Sequence, residues 1–368
     1  MYSSTLKNFR LSLIILLLIS LSACTHSRYS TKQADIQELI SEANSSFYLD
    51  SRIWYQNIHA EVSRKTITLT GEAFFKIPVN GIIKSLKKAG FEQKVVDQVS
   101  YLPESFPEDK AFGIVIVPYV MSRYKPVNVK QEGTELLYGE AVRLIRDSDP
   151  YYQVQSATGY LGFIPKNSIR TVKLEEWVRY HQAEQAIFDQ DVELKNGFQI
   201  KRGTRLPFLM NGNILLANGD EVALYGDSYH VINAASNPLR QKIIKTSEQY
   251  LDLPYVWGGR SSDGLDCSGF VMQSYGLNGL HLPRDTDEMS NVGRIIGLPG
   301  WMDSMLPGDL LFFAGSRRLV THVAIYIGDD HVIHSLGEGV QIHSLNPEDE
   351  DYSENLDRSF IFAKRIFD

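Results

Sequence analysis

Cys267 is the residue of this sequence best suited to nucleophilic chemistry. The chain has 368 residues and two cysteines, of which Cys24 lies in a segment typical of lipid attachment. Cys267 stands within Asp266-Cys267-Ser268-Gly269-Phe270, and His322 and His334 follow further along the chain. A thiol next to an imidazole base is a strong nucleophile toward carbonyl carbon. The pattern favours a cysteine hydrolase, and the structural alternative is a buried, inert thiol.

A helix is predicted to begin at or near Cys267. A glycine-rich stretch from Tyr255 to Leu265 leads into the cysteine, and the apolar residues Phe270 to Met272 follow it. Glycines allow the backbone to approach closely. The unpaired N–H groups and partial positive charge of a helix N-terminus favour a thiolate and lower the cysteine pKa. The same N–H groups can bind the oxyanion of a tetrahedral intermediate.

The two histidines are predicted to share one face of an antiparallel hairpin. Strands are expected around His322 and His334, joined by a loop of Gly328, Asp329 and Asp330. In that register Ile327 pairs with His331 and Ala324 pairs with His334, which leaves His322 diagonal to His334. Diagonal neighbours lie roughly 7 to 8 Å apart, within reach of two imidazoles. His322 is then the base beside Cys267, and His334 orients its other ring nitrogen, while His331 and His343 are interpreted as surface residues.

The N-terminus is predicted to be a lipoprotein signal peptide spanning residues 1–23. Lys7 and Arg10 precede an apolar run that ends in Leu21-Ser22-Ala23-Cys24. The 13 residues from Leu11 to Ala23 are fewer than the roughly 20 that a membrane-spanning helix needs. Cys24 is therefore the expected lipid-attachment residue. By resemblance to bacterial lipoproteins, a threonine rather than an aspartate after this cysteine, Thr25, implies the outer membrane, with the protein facing the periplasm.

Composition narrows the possible partners. The net charge of −7 argues against nucleic acid, which requires a basic surface. One remaining cysteine cannot form an internal disulfide. No metal is expected, because His331 and His334 lack the helical H-E-x-x-H context, and no cofactor is expected either. We expect a monomer that contacts the membrane only through its lipid.

Patterning along the chain predicts four blocks after the signal peptide. Residues 24–102 carry helical spacing with one strand, Lys65 to Thr70, and no evident chemistry. Residues 103–172 contain short strands separated by turn residues, including one predicted from Glu135 to Leu144. Residues 173–236 form a second strand-rich block, with Asn-Gly turns. The last block, 237–368, begins with a helix and holds the catalytic candidates.

The last block resembles the NlpC/p60 family of papain-like cysteine peptidases over about residues 240 to 365. The similarity rests on motifs that occur in the family's order: Pro254-Tyr255-Val256-Trp257-Gly258-Gly259, Asp266-Cys267-Ser268-Gly269-Phe270, Leu282-Pro283-Arg284, Pro307-Gly308-Asp309-Leu310 and His322-Val323-Ala324-Ile325-Tyr326-Ile327-Gly328. The preceding blocks resemble an N-terminal clip-like segment and two bacterial SH3-like domains. The fold class implied is α+β: a papain-like NlpC/p60 domain preceded by two small SH3-like β-barrels and a mostly helical N-terminal segment.

The resemblance implies a peptidoglycan stem-peptide hydrolase that cleaves between γ-D-glutamate and a diamino acid. Cys267 would be the nucleophile, His322 the general base and then acid, and His334 the residue that holds the productive tautomer. In SH3-bearing relatives, acidic and hydroxyl groups hold the free L-alanine amine of the substrate. The matching positions here are Tyr255, Asp266, Ser268, Asp285, Glu140 and Tyr160, although a structural role in the barrel is equally open for the last two. Such a pocket would require a free N-terminus.

Two other functions remain open on the sequence alone. One is a papain-like amidase or acyltransferase that acts on a different amide or ester. The other is a peptidoglycan-binding lipoprotein with a degenerate catalytic domain. The complete set of triad candidates, Cys267, His322 and His334, argues against the second.

Overall fold

The computed structural model of the protein describes residues 33–42, 50, 52–53, 56–107, 110–127, 132–224, 228–231, 239–300, 302–315 and 320–367. Cys24 and the predicted signal peptide 1–23 lie outside the described residues. The chain divides into two compact units, Met1–Glu104 and Ser105–Asp368. Among the described residues, no helix combines the length and apolar character needed to cross a membrane.

The first unit is a small sheet with helices. Its elements are α1 (33–42), β1 (Gln56–Val62), β2 (Thr66–Ala73), α2 (Lys76–Lys88), β3 (Lys94–Asp97) and β4 (Ser100–Tyr101). Strand β2 pairs with β1 antiparallel and with β3 and β4 parallel. Alternating Ile67 and Leu69 are fully buried, and so are Val79 and Leu86 on one face of α2. The prediction of a mostly helical segment is not confirmed, because alternating apolar residues build strands beside the predicted helices.

The second unit begins with an open sheet of seven strands. They are β5 (Phe112–Val115), β6 (Tyr119–Arg123), β7 (Glu132–Leu137), β8 (Ala141–Ser148), β9 (Tyr151–Gln155), β10 (Leu161–Pro165) and β11 (Ile169–Val172). Their order is β11-β5-β8-β9-β10-β6-β7, which does not close into a barrel within the described residues. The single strand predicted from Glu135 to Leu144 is wrong, because Gly139 at φ 79° turns the chain between β7 and β8.

A helix and short strands follow the seven-stranded sheet. They are α3 (Leu174–Gln182), β12 (Gln185–Phe188), β13 (Val192–Glu193), β14 (Gln199–Ile200), β15 (Arg205–Pro207), β16 (Ile214–Leu215), β17 (Glu221–Val222) and β18 (Tyr229–Val231). The strands form one three-stranded and two two-stranded sheets. Gly197, Gly212 and Gly219 all have positive φ, as predicted for Asn-Gly turns. The block also contains α3, a helix that the turn pattern did not predict.

The remainder of the second unit packs helices against a six-stranded antiparallel sheet. Its elements are α4 (Leu239–Glu248), β19 (Arg260–Ser261), β20 (Gly264–Leu265), α5 (Cys267–Gly276), α6 (Thr286–Met289), β21 (Arg294–Gly297), β22 (Leu310–Ala314), β23 (Val320–Gly328), β24 (His331–Leu336), β25 (Gly339–Ser344), α7 (Glu354–Ser359) and β26 (Phe360–Arg365). The sheet order is β21-β26-β22-β23-β24-β25. Helix α5 packs on α4 and on strands β23 and β24, where Phe270, Tyr275 and Val323 share a core. The mixed α+β class is therefore confirmed.

Candidate active site

Cys267 is the first residue of α5, at the helix N-terminus predicted from the sequence. The Asp266 side chain caps the helix, and its Oδ1 accepts a hydrogen bond of 2.6 Å from the Gly269 N–H. A Cβ at Gly269 would lie 2.2 Å from the Gly259 carbonyl oxygen, so this close approach requires glycine. Cys267 is half-buried, and its Sγ lies 3.5 Å from Thr286 Oγ1. The helix start thus presents one thiol beside a hydroxyl group.

The resting thiol is protonated, contrary to the expectation of a preformed thiolate. Burial raises the pKa of the Cys267 thiol, and the neighbouring Asp266 carboxylate raises it further. Thr286, Arg284 and the backbone N–H of Ser268 act in the opposite direction, but they do not reverse the shift. The predicted thiolate rested on the helix N-terminus, which lowers a thiol pKa, but burial of the thiol has the larger effect. Cys267 therefore needs a base to remove its proton during the reaction.

His322 and His334 are brought together by the hairpin of β23 and β24. The His322 Nε2 and His334 Nδ1 atoms are 3.0 Å apart. Ile325 pairs with Ile333, which is the predicted register for this part of the ladder. The predicted pairing of Ile327 with His331 is wrong, because a β-bulge makes Gly328 the partner of His331. The bulge lies at the turn end of the hairpin and leaves the register at the histidines unchanged.

Both histidines are buried and neutral at pH 7. His322 is 7% exposed and His334 is fully buried. Desolvation lowers the pKa of His322 to about 4. Desolvation and the two neighbouring imidazoles lower the pKa of His334 to about 2. Because Nε2 of His322 faces His334, Nδ1 is the ring nitrogen left to accept a proton.

His343 lies beside this pair, although the sequence placed it on the surface. Its Nδ1 is 2.9 Å from Nε2 of His334, and the side chain is only partly exposed. Strand β25 pairs Val332 with His343 and His334 with Gln341, so His343 is a diagonal neighbour of His334 on the same face. The surface interpretation is therefore wrong. Extending the hairpin argument to the next strand would have found this residue.

A buried guanidinium holds the residues on either side of Cys267. Arg284, 1% exposed, donates to both carboxylate oxygens of Asp266 at 3.0 and 2.6 Å and to Ser268 Oγ at 2.8 Å. Its Nε also donates to Thr134 Oγ1 in β7 at 2.8 Å. Arg284 thus ties the start of α5 to the seven-stranded sheet. The sequence placed Arg284 in a motif shared with the family, but it did not predict the contact between Arg284 and Thr134.

Two of the predicted amine-binding residues, Asp266 and Ser268, are engaged within the protein. Besides Arg284, the Asp266 carboxylate accepts from the backbone N–H groups of Gly258 and Gly269 and from Ser268 Oγ. These bonds use the lone pairs that a carboxylate offers. The contact of Asp266 and Ser268 with a substrate amine stays a prediction.

Tyr255 and Asp285, which were also predicted to bind the amine, flank the same residues. Burial raises the pKa of Tyr255, and negative charge on the Cys267 thiolate or on Asp266 raises it further. Asp285 is partly buried, directly before α6, and its charge acts on Arg284. Both side chains are therefore within electrostatic range of the start of α5.

Glu140 and Tyr160 extend from the seven-stranded block toward the domain that carries Cys267. Glu140 Oε1 forms an ion pair of 3.0 Å with Arg260 Nη1. The Tyr160 hydroxyl donates to Glu288 Oε2 in α6 at 3.3 Å, and α6 also contains Thr286, the neighbour of Cys267. Tyr160 thus contacts the element beside the thiol, and Glu140 forms an ion pair with Arg260, in the segment that leads into Cys267.

Glu135 makes a long-range contact that the sequence did not reveal. It is 3% exposed, and its carboxylate accepts from the Arg260 N–H at 2.6 Å and from Ser261 Oγ at 3.1 Å. Burial raises the pKa of Glu135, and these donors offset the shift in part. Its partners lie 125 and 126 residues away, so no local pattern could identify it. Glu135 fixes the loop that leads into Cys267.

One group among the described residues has the spacing of metal ligands. His331, Asp349 and Asp351 offer ligand atoms within 4.8 Å of one another. Their side chains are partly or fully exposed, and His331 Nε2 lies 3.4 Å from Asp351 Oδ2. An ion pair between these groups accounts for the arrangement, so we assign no metal to it.

Comparisons with known proteins identify the domain that contains this site. Residues 252–355 match the sequence model of the NlpC/P60 family. A γ-D-glutamyl-L-lysine dipeptidyl-peptidase of Bacillus cereus is 29% identical over 244 residues, which cover 60% of this chain and 72% of the relative. The protein of that name from Bacillus subtilis is 38% identical over 118 residues, 32% of this chain and 38% of the relative.

The fold is likewise similar to that of a solved relative. A crystal structure of an NlpC/P60 family protein from Bacillus cereus superposes with a TM-score of 0.61 at 22% identity, and the match covers 70% of this chain and all of that one. The chain therefore contains an NlpC/P60 family domain, which spans residues 252–355 and includes Cys267, His322 and His334.

Proposed function

We propose that this protein is a cell-wall peptidase that uses Cys267 as its nucleophile. The observation that carries the proposal is the 3.0 Å contact between His322 Nε2 and His334 Nδ1, on strands packed against the helix that begins with Cys267. The names of the Bacillus relatives, which are peptidases of a γ-D-glutamyl bond, support the substrate class.

In the proposed mechanism, deprotonation of the thiol accompanies attack. The neutral His322 takes the Cys267 proton on Nδ1 as the sulfur bonds to the carbonyl carbon. His334 accepts a hydrogen bond from His322 Nε2–H and stabilises the imidazolium that forms. Backbone N–H groups at the start of α5 bind the oxyanion. His322 then returns the proton to the leaving amine, and water hydrolyses the thioester.

The bond cleaved is proposed to be that between γ-D-glutamate and a diamino acid in a stem peptide with a free L-alanine amine. A dipeptidyl-peptidase, as the relatives are named, removes two residues from a free N-terminus. Asp266 directly before Cys267, Asp285 directly before α6 and Glu288 within α6 make this region acidic, and acidic side chains attract an ammonium group. Tyr255, Ser268 and Tyr160 supply hydroxyl groups around this acidic region, and Glu140 supplies a further carboxylate.

The surrounding chain is proposed to deliver this activity to the periplasm. Cys24 would carry the lipid, and residues 103–172 and 173–236 would act as SH3-like domains. In this arrangement, Glu135 and Thr134 in β7 hold the loop before Cys267 and the Arg284 side chain in place. A monomer attached to the outer membrane would then trim released stem peptides.

The test compares L-Ala-γ-D-Glu-meso-diaminopimelate with the same peptide acetylated on its amine. We expect the unlipidated protein to release L-Ala-D-Glu from the free peptide and to leave the acetylated peptide intact, as measured by mass spectrometry. A parallel peptide with L-lysine reports the preference for the diamino acid. Equal cleavage of the free and acetylated peptides would refute the amine requirement, and cleavage of neither would refute the substrate class.

A further inference from the structure

His334 is held between two imidazoles. One ring nitrogen faces His322 Nε2 at 3.0 Å and the other faces His343 Nδ1 at 2.9 Å. His334 itself is fully buried, whereas His343 is partly exposed. The ring centroids of His322 and His334 are 5.0 Å apart, and those of His334 and His343 are 5.2 Å apart. These three residues form a row of imidazoles. His334 therefore has an imidazole as the partner of each ring nitrogen.

A neutral His334 can donate only one of these two hydrogen bonds. Burial and the adjacent imidazoles lower its pKa to about 2, so the ring carries one N–H at neutral pH. If His334 donates to His343, it must accept from His322. If it accepts from His343, it must donate to His322. The row thus has two possible proton arrangements.

Only the first arrangement leaves His322 able to act as a base. With Nε2–H of His322 donated to His334, its Nδ1 keeps a lone pair that can take a proton. In the second arrangement, His343 Nδ1–H donates to His334, and His334 Nδ1–H donates to His322 Nε2. The single proton of His322 then lies on Nδ1, which cannot deprotonate Cys267.

We propose that His343 is a positioning residue whose Nδ1 accepts a hydrogen bond from His334 and thereby selects the arrangement in which His322 is a base. The inference rests on the proposed roles of Cys267 and His322. Without an acceptor at position 343, an Nε2–H on the fully buried His334 would have no partner, so the proton would move to the nitrogen that faces His322. Selection of a tautomer by a second hydrogen-bond partner is the role of the third residue in hydrolase triads.

The test replaces His343 with side chains that keep or remove the acceptor. Asparagine places Oδ1 close to the position of Nδ1, and leucine has no acceptor. We expect His343→Asn to retain most of kcat/KM on the stem tripeptide and His343→Leu to lose on the order of 100-fold. His331→Asn, which removes an imidazole outside the row, is the matched control and should retain the wild-type value.

Nitrogen-15 NMR of the imidazole rings in the free protein tests the tautomer without turnover. We expect His334 to be protonated on Nε2 in the wild type and in His343→Asn, and on Nδ1 in His343→Leu. Should His343→Leu fail to fold, His343→Gln serves in its place, because its longer side chain moves the acceptor away. The proposal would be overturned if His334 kept its proton on Nε2 in the variant without a positioned acceptor. A wild-type kcat/KM in that variant would overturn it as well. Failure of the wild type to cleave stem peptides would refute the proposed function and leave the tautomer result standing.

Discussion

Nε2 of His322 and Nδ1 of His334 lie 3.0 Å apart, although 12 residues separate them in the sequence. A β-bulge lies between this pair and the turn of the hairpin, yet the ladder from Ile325 and Ile333 onward keeps the two imidazoles on one face. The contact fixes the ring of His322 and leaves Nδ1 as its remaining nitrogen. Burial keeps both rings neutral at pH 7, because it lowers their pKa values to about 4 and about 2.

Removal of the two imidazoles should affect turnover to different degrees. We expect His322→Ala to lower kcat by roughly 10²- to 10⁴-fold, because the base is lost. His334→Ala should be milder, because His322 remains but is no longer oriented. Steady-state hydrolysis of the stem tripeptide measures both, with His59→Ala, an exposed histidine in the first unit, as the control. A wild-type rate in His334→Ala would exclude an orienting role.

Alkylation of Cys267 by iodoacetamide should become faster with pH up to and beyond pH 9. Burial and the Asp266 carboxylate raise the pKa of the thiol, and only the thiolate reacts. The Cys24→Ser variant leaves Cys267 as the single thiol of the chain, so the rate can be measured by mass spectrometry. A fast rate that is constant from pH 5 to 9 would instead indicate a preformed thiolate-imidazolium pair.

Loss of the Arg284 guanidinium should destabilise the second unit strongly. Arg284→Met leaves the buried Asp266 side chain without its charged partner, and breaking a buried pair on one side costs about 3–5 kcal/mol. Urea titration gives the free energy of unfolding. Arg358→Met is the matched control, because its ion pair with Glu354 is largely exposed and contributes little. Equal stability of the two variants would show that the Arg284 contacts are not structural.

Acid should destabilise the wild type partly through its buried histidines. The pKa values of His322 and His334 are lower in the folded protein than the ordinary value of 6.5, so the unfolded chain binds protons first. The stabilising contribution of each ring is complete above pH 6.5 and falls by about 1.4 kcal/mol per pH unit below it, down to about pH 4 for His322 and about pH 2 for His334.

The His334→Asn variant isolates this contribution. Between pH 6 and pH 4, its free energy of unfolding should fall less steeply than that of the wild type, by about 1.4 kcal/mol per pH unit. His59→Asn should follow the wild type, because His59 is exposed. Parallel curves for all three proteins would mean that His334 is not buried in the neutral form.

Local sequence patterns predicted the elements that carry the site. The helix beginning at Cys267 followed from glycines before an apolar run, and the meeting of His322 and His334 followed from strand alternation. The alternation of side chains between the two faces of a strand depends only on neighbouring residues, so a bulge at the turn does not change it further along the strand. The predicted hairpin contains only two strands, whereas the third imidazole, His343, lies on the next strand, β25.

Contacts between residues that are far apart in the sequence could not be predicted from local patterns. Arg284 donates to Thr134, which is 150 residues away, and Glu135 accepts from the segment that leads into Cys267. The protonation state of Cys267 depends on how deeply the folded chain buries the thiol, and this depth cannot be inferred from the residues around it. The N-terminal unit was expected to be mostly helical with one strand, whereas that strand, β2, pairs with three others, β1, β3 and β4.

We propose that the Cys267 thiol cleaves a γ-D-glutamyl bond. The most direct measurement compares the wild type with Cys267→Ala on L-Ala-γ-D-Glu-meso-diaminopimelate and identifies the products by mass, with circular dichroism to confirm that both proteins are folded. We expect the dipeptide L-Ala-D-Glu and free diaminopimelate from the wild type and neither product from the folded variant. Cleavage by Cys267→Ala at the wild-type rate, or an intact tripeptide with the folded wild type, would contradict it.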